Sequence, residues 1–177
     1  WTTREIARGI NSGKTAVFSS GIFSILGISA FFIIAFFVSE PTNTNVEILY
    51  FAALIIPFSF LNRTLSSIAV GSKPHVNSYG VLIFDVVKIP AALIFVHFME
   101  LGLFGAILSL IIAYIPSIVI LRILLRNELQ NKFNIVFLKD WLKRAWLPSY
   151  IKFPNLVVID VLIFSLITGS VAVSYTH

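Results

Sequence analysis

The chain has 177 residues, 58% of them hydrophobic and 12% charged, with seventeen Phe, no Cys and a formal net charge of +5. That apolar content lies well above the ~45–50% of soluble globular chains, and the lack of Cys excludes a disulfide framework and a thiolate metal site. A charge of +5 invites nucleic acid, but twelve of the thirteen basic residues cluster in or close to a few segments between long apolar runs, the pattern of a chain whose solvent is a bilayer.

In chain order, Trp1 opens the sequence without a visible signal peptide, so the chain reads as an internal fragment. Residues 1–14 are polar, carry Arg4, Arg8 and Lys14, and read as a basic loop. Gly9-Ile-Asn-Ser-Gly13-Lys14-Thr15 has the look of a phosphate-binding loop. That motif needs four residues between its glycines and a preceding strand; here there are three residues and no strand. Residues 15–38 hold no charge and make a helix of about 36 Å, long enough to cross a bilayer with tilt. Ser20, Ser24, Gly27 and Ala30 place small groups along it for close helix packing. The turn-rich tract from Ser39 to Glu47 ends that span.

Residues 48–70 form a second span, with Pro57 inside it and Arg63 near one end, where a long stem can snorkel to the headgroups. Asn62-Arg63-Thr64 fits a glycosylation sequon but falls within the span and is discounted. Gly71-Ser-Lys-Pro-His75 reads as a short basic turn. Residues 79–99 and 103–125 are the third and fourth spans, joined by Glu100-Leu-Gly-Leu-Phe-Gly105. The third carries Asp85, Lys88 and Pro90, the fourth Pro116. Asp85 and Lys88, three apart, share a helix face about ten to thirteen Å from the basic end of the span. Neither His75 nor His97 has a second ligand at helical spacing, so no metal site is expected.

Residues 127–147 change character. Phe133, Phe137, Leu138, Trp141, Leu142 and Ala145 fall at helical spacing, with Lys139, Lys143 and Arg144 on other faces. This predicts an interfacial amphipathic helix anchored by Trp141 and Trp146. Residues 148–173 form a fifth span with Lys152, Pro154 and Asp160. Residues 174–177 end a tract, Val173-Ser-Tyr-Thr-His177, that looks like a translated sequencing adapter and is set apart as a tail. Pro57, Pro90, Pro116 and Pro154 each remove one helical hydrogen bond and free a carbonyl four residues earlier, which makes them hinge candidates.

With five alternating spans, twelve of the thirteen Lys and Arg fall on one side, and the opposite loops hold only Glu40, Glu47 and Glu100. The positive-inside rule then places residues 1–14, 71–78 and 126–147 in the cytoplasm and the chain in the cell membrane. The fold class expected is all-α and integral to the membrane, with about five transmembrane helices and one interfacial helix. Membrane lipids are its partners, and nucleic acid is not.

Several tracts carry a family resemblance: Arg4-Glu-Ile-Ala-Arg8-Gly9 with Lys14; Ala69-Val-Gly71-Ser-Lys73-Pro74; Asp85-Val-Val-Lys88-Ile-Pro90; Gly102-Leu-Phe-Gly105-Ala106; Leu138-Lys-Asp-Trp-Leu-Lys-Arg-Ala-Trp-Leu-Pro148; and Asp160 with Ile167-Thr-Gly-Ser170. Their order resembles the polysaccharide and lipid-linked oligosaccharide flippases, in the superfamily that also holds the multidrug-and-toxin exporters. The resemblance implies a two-lobe bundle working by alternating access, without a cofactor. Residues 1–126 would be part of the first lobe and 148–173 the first helix of the second. A lipid-linked glycan is then the substrate, and Lys88, Asp85, Asp160 and Arg63 are the cavity candidates. Lys88 would attract phosphate and Asp85 would hold it otherwise; a purely structural Asp85–Lys88 pair is the competing reading. Two alternatives stand beside the flippase. One is a drug exporter coupled to a cation through Asp85 and Asp160. The other is a membrane-embedded glycosyltransferase or polymerase, which lacks the clustered acids and base that catalysis needs near Glu100 and His97; the chain is expected not to be an enzyme.

Overall fold

A computed structural model describes residues 2–10, 12–42, 46–130 and 135–141. The chain divides into two units, Trp1–Asn134 and Ile135–His177. The first is built from α1 (Thr2–Ala7), α2 (Gly13–Thr42), α3 (Val46–Ala52), α4 (Ile55–Ser72), α5 (Pro74–Ala92), a π-helical turn at Leu93–Phe98, α6 (Gly102–Leu124) and α7 (Arg126–Leu129). The described part of the second is α8 (Ile135–Trp141). Every regular element among the described residues is helical, as an apolar solvent demands, because a helix satisfies its own backbone hydrogen bonds. Among the described residues, four segments are long and apolar enough to cross a membrane: Gly13–Phe36, Glu47–Ser72, Pro74–Phe98 and Gly102–Leu124.

The boundaries differ from the sequence reading in instructive places. Residues 1–14 are not one loop: α1 forms because Ile6 packs on the core and Thr3 Oγ1 donates to the Ser67 carbonyl at 3.1 Å. Helix α2 runs through Ser39, Glu40 and Pro41 to Thr42, since a single lost hydrogen bond at Pro41 stops propagation only one residue later. The expected turn over residues 71–75 shrinks to Lys73. Gly71 and Ser72 close α4, and Pro74 opens α5 at the first helical position, where a missing N–H costs nothing. Of the amphipathic helix expected over 127–147, the described residues show α7, with Leu129 packed on the first unit's core, and α8, while residues 131–134 and 142–147 lie outside the described residues. Residues 148–173, with Pro154 and Asp160, lie outside the described residues.

Helix α4 is the hub, touching α1, α2, α5 and α6, while α5 and α6 form a hairpin. Leu65, Ile68 and Ala69 of α4, Val76 of α5, and Leu121 and Leu125 at the end of α6 make the core, with Ile6, Val17, Leu61, Ile118 and Leu129 packed on it. This core sits at the end where α1 and α7 cover the helix termini. Glycines admit the closest approaches there. A Cβ on Gly71 would stand 2.7 Å from the Thr3 carbonyl oxygen, and one on Gly80 2.9 Å from three atoms of Leu121. Ser20 and Ser24 are buried and Gly27 faces Ile56 and Phe60 of α4, as the small-residue stripe predicts. Ala30, expected on that stripe, is exposed.

Candidate functional site

Lys88 Nζ donates to Asp85 Oδ1 at 2.9 Å, so the two charges expected to share a face of α5 do pair. With α5 beginning at Pro74, they lie about 17 and 21 Å along it at 1.5 Å per residue, near the middle of the span. This corrects the shallower depth of ten to thirteen Å that a start at Tyr79 implies. Their side chains remain 49% (Asp85) and 36% (Lys88) exposed, because the buried side of α5, marked by Val76, Gly80 and Ala91, is turned to the rest of the unit. Lys88 Nζ also stands 5.1 Å from the centroid of the Phe84 ring, a cation–π contact, and Phe84 packs on Tyr114 of α6 with ring centroids 4.7 Å apart. The site is thus an acid, a base and two aromatic rings on the α5–α6 hairpin. Phe84 and Tyr114 carry no sequence signal apart from aromaticity in a chain with seventeen Phe.

Arg63 is not near the end of its span. It sits in α4 nine residues before Ser72, about 14 Å in, and is exposed. Among the described residues no hydrogen bond or ion pair joins it to Lys88, whose partner is Asp85, and Asp160 lies outside them. No cluster of three or more His, Cys, Asp or Glu able to hold a metal exists among the described residues.

The prolines act as backbone punctuation. Pro57 lies in the first turn of α4, and the Ala53 carbonyl it leaves without a partner accepts from Ile56 N–H at 3.1 Å, so the second span is broken at Ala53 and Leu54. Pro90 precedes the π-helical turn, in which Met99 N–H reaches back five residues to the Ile94 carbonyl at 2.9 Å and Leu101 N–H six residues to Phe95 at 3.0 Å. Glu100 follows with φ +52°, the left-handed residue that turns the chain into α6. A Cβ on Gly105 of α6 would meet the Phe95 carbonyl at 2.7 Å, so only glycine fits against that widened turn. Pro116 lies within α6, next to Ser117.

Ser117 is a residue the sequence did not single out. Ser19, Ser20, Ser24, Ser29, Ser59, Thr64, Ser67, Ser72 and Ser109 all bond carbonyls three or four residues back in their own helices. Ser117 reaches across: its Oγ is 2.9 Å from the Gly80 carbonyl of α5 and 3.0 Å from Asn62 Oδ1 of α4. A serine after a proline, opposite an asparagine in another apolar span, is the only trace of this junction in the sequence. No family model, curated protein or solved structure matches the chain.

Proposed function

We propose that this chain is part of a cell-membrane transporter that flips or exports a lipid-linked oligosaccharide or polysaccharide precursor by alternating access, with its basic end in the cytoplasm. The observation that carries the reading is the half-exposed Asp85–Lys88 pair at mid-span. A charged side chain at the bilayer centre costs about 2.5–3.5 kcal/mol on insertion scales, so such residues face protein or a water-filled cavity. A wet surface at that depth is what a charged headgroup requires to cross about 30 Å of hydrocarbon while its lipid tail stays in the bilayer. Lys88 would meet the phosphate, Phe84 and Tyr114 would wall the path, and Asp85 would hold the ammonium between cycles.

Asp85→Asn and Lys88→Gln test this in the intact protein. Each single change leaves one charge unpaired and lowers the yield of folded protein, whereas the neutral double variant folds at the wild-type level because no charge is left to desolvate. The expected result is a double variant that inserts normally and fails to support glycan export in cells. A well-folded double variant exporting at the wild-type rate removes Lys88 from the substrate path and leaves the pair as a packing element.

A further inference from the structure

Arg63 is a charge without a counterpart. It lies in α4 about 14 Å from Ser72, close to the middle of a hydrocarbon core about 30 Å thick. It is exposed, and among the described residues its guanidinium has neither an ion pair nor a hydrogen bond, whereas Arg8 has Glu5 and Lys88 has Asp85. A guanidinium does not shed its proton, so unlike a lysine it has no neutral form at that depth. Headgroups stand about 15 Å away in either leaflet. A helical side chain also leans toward the N-terminus of its helix, so the stem of Arg63 sets out toward Ile55 and away from the basic end. The turns on either side carry Ser59 and Ser66 on the same face, small residues that let another helix come close. The Ser59 hydroxyl is already spent on the Ile56 carbonyl at 2.9 Å.

We propose that Arg63 marks the docking face for a further transmembrane helix that carries an Asp or Glu at the same depth, whose carboxylate accepts from the guanidinium. Charge complementarity selects a resident acid over a transported anion. A substrate site has to be tolerable when empty, and Asp85–Lys88 is, because its two charges neutralise one another at 2.9 Å. Arg63 alone is not, so its counter-charge has to stay in place. Among the described residues the one acid at mid-span is Asp85, which is engaged by Lys88 and does not bond Arg63. The carboxylate therefore comes from a helix other than those described. Docking of that helix over Ser59, Arg63 and Ser66 fixes α4 and takes Arg63 out of the transport path, while Asp85 and Lys88 keep their place on α5. The inference needs only that the spans cross a bilayer, and it holds whatever molecule is transported.

Arg63→Lys and Arg63→Met test the proposal. In membranes holding the intact protein, an apolar carbodiimide joins the ammonium of the Arg63→Lys variant to the carboxylate it faces, and peptide mapping by mass spectrometry names that acid. Lys88 and Asp85, 2.9 Å apart, are the internal control. The expected cross-link is to an Asp or Glu within another apolar span. With the control bridge formed, a cross-link from position 63 to Asp85, or to no acid, overturns the docking face. In the intact protein purified in detergent, Arg63→Met keeps a long stem but strands the partner carboxylate, so the melting temperature falls by on the order of 5 °C, while Arg63→Lys loses less than about half as much. An unchanged or higher melting temperature for Arg63→Met means that no acid is resident and overturns the proposal. Equal falls in the two variants assign the loss to packing of the guanidinium and overturn it too. If Arg63→Met is not recovered, the cross-link decides alone. A wild-type melting temperature that is higher in phosphatidylglycerol than in phosphatidylcholine nanodiscs, and loses that difference in Arg63→Met, makes the counter-charge a lipid phosphate and refutes the helix.

Discussion

Gly80→Ala is the most exacting probe of the fold because a single methyl group enters the tightest point between α5 and α6. The new Cβ would lie 2.9 Å from Cγ, Cδ1 and Cδ2 of Leu121, roughly an ångström inside a normal carbon–carbon contact. Leu121 is fully buried and packed by Leu65, Ile68 and Val76, so it has no free space to turn into. Relief must come from an off-rotamer leucine or from separation of the helices, and overpacking of this kind costs about 1–3 kcal/mol. Separation also stretches the 2.9 Å contact between Ser117 Oγ and the Gly80 carbonyl, a loss of about 0.5–1.5 kcal/mol. Against this stands the helix propensity of alanine over glycine, about 1 kcal/mol. The net expectation is destabilisation by about 1–3 kcal/mol, read as a fall of some 3–10 °C in the melting temperature of the purified protein followed by tryptophan fluorescence. Leu121→Val, which removes one methylene from the crowded side chain, should recover part of the loss in the double variant, with a coupling of about 1 kcal/mol. A neutral or stabilising Gly80→Ala, or strictly additive effects with Leu121→Val, would refute the close approach of α5 and α6 at this level.

The remaining predictions concern α1 and the orientation of the spans. Gly71→Val drives a side chain into the Thr3 carbonyl and Ile6, so it should lift α1 from α4 and speed tryptic cleavage after Arg4 and Arg8; Gly21→Val, with nothing within 4 Å of its Cβ, should leave the cleavage rate unchanged. Single cysteines at Lys73 and Glu100 in this cysteine-free chain should react with impermeant reagents from opposite faces of the membrane, Lys73 from the cytoplasm, and labelling of both from outside intact cells contradicts the alternating spans.

What could be read without a structure were properties that sum along the chain. Apolar length sets the span count, so 15–38, 48–70, 79–99 and 103–125 each overlap a membrane-length helix. The fold class follows from the same count. The three-residue spacing of Asp85 and Lys88 sufficed to put them on one face, because helical geometry is local. Helix ends were less legible where tertiary contact decides them: α1 exists through Ile6 and Thr3 gripping α4, which no property of residues 2–7 alone announces.

The choice of face was beyond the sequence. A soluble helix advertises its buried side by an apolar stripe, but a membrane helix is apolar all round and offers no such contrast. Thus Gly80, which has room for no side chain, and Gly21, which has open space, look alike in sequence, as do buried Ser24 and exposed Ser29. The hydroxyls in the apolar helices looked equivalent, and the packing of α4, α5 and α6 selected Ser117 to cross between them. The same packing turned Val76, Gly80 and Ala91 inward and left Asp85 and Lys88 on the uncovered flank of α5. Composition established that these charges lie in an apolar span; which way they face was decided by contacts between residues tens of positions apart.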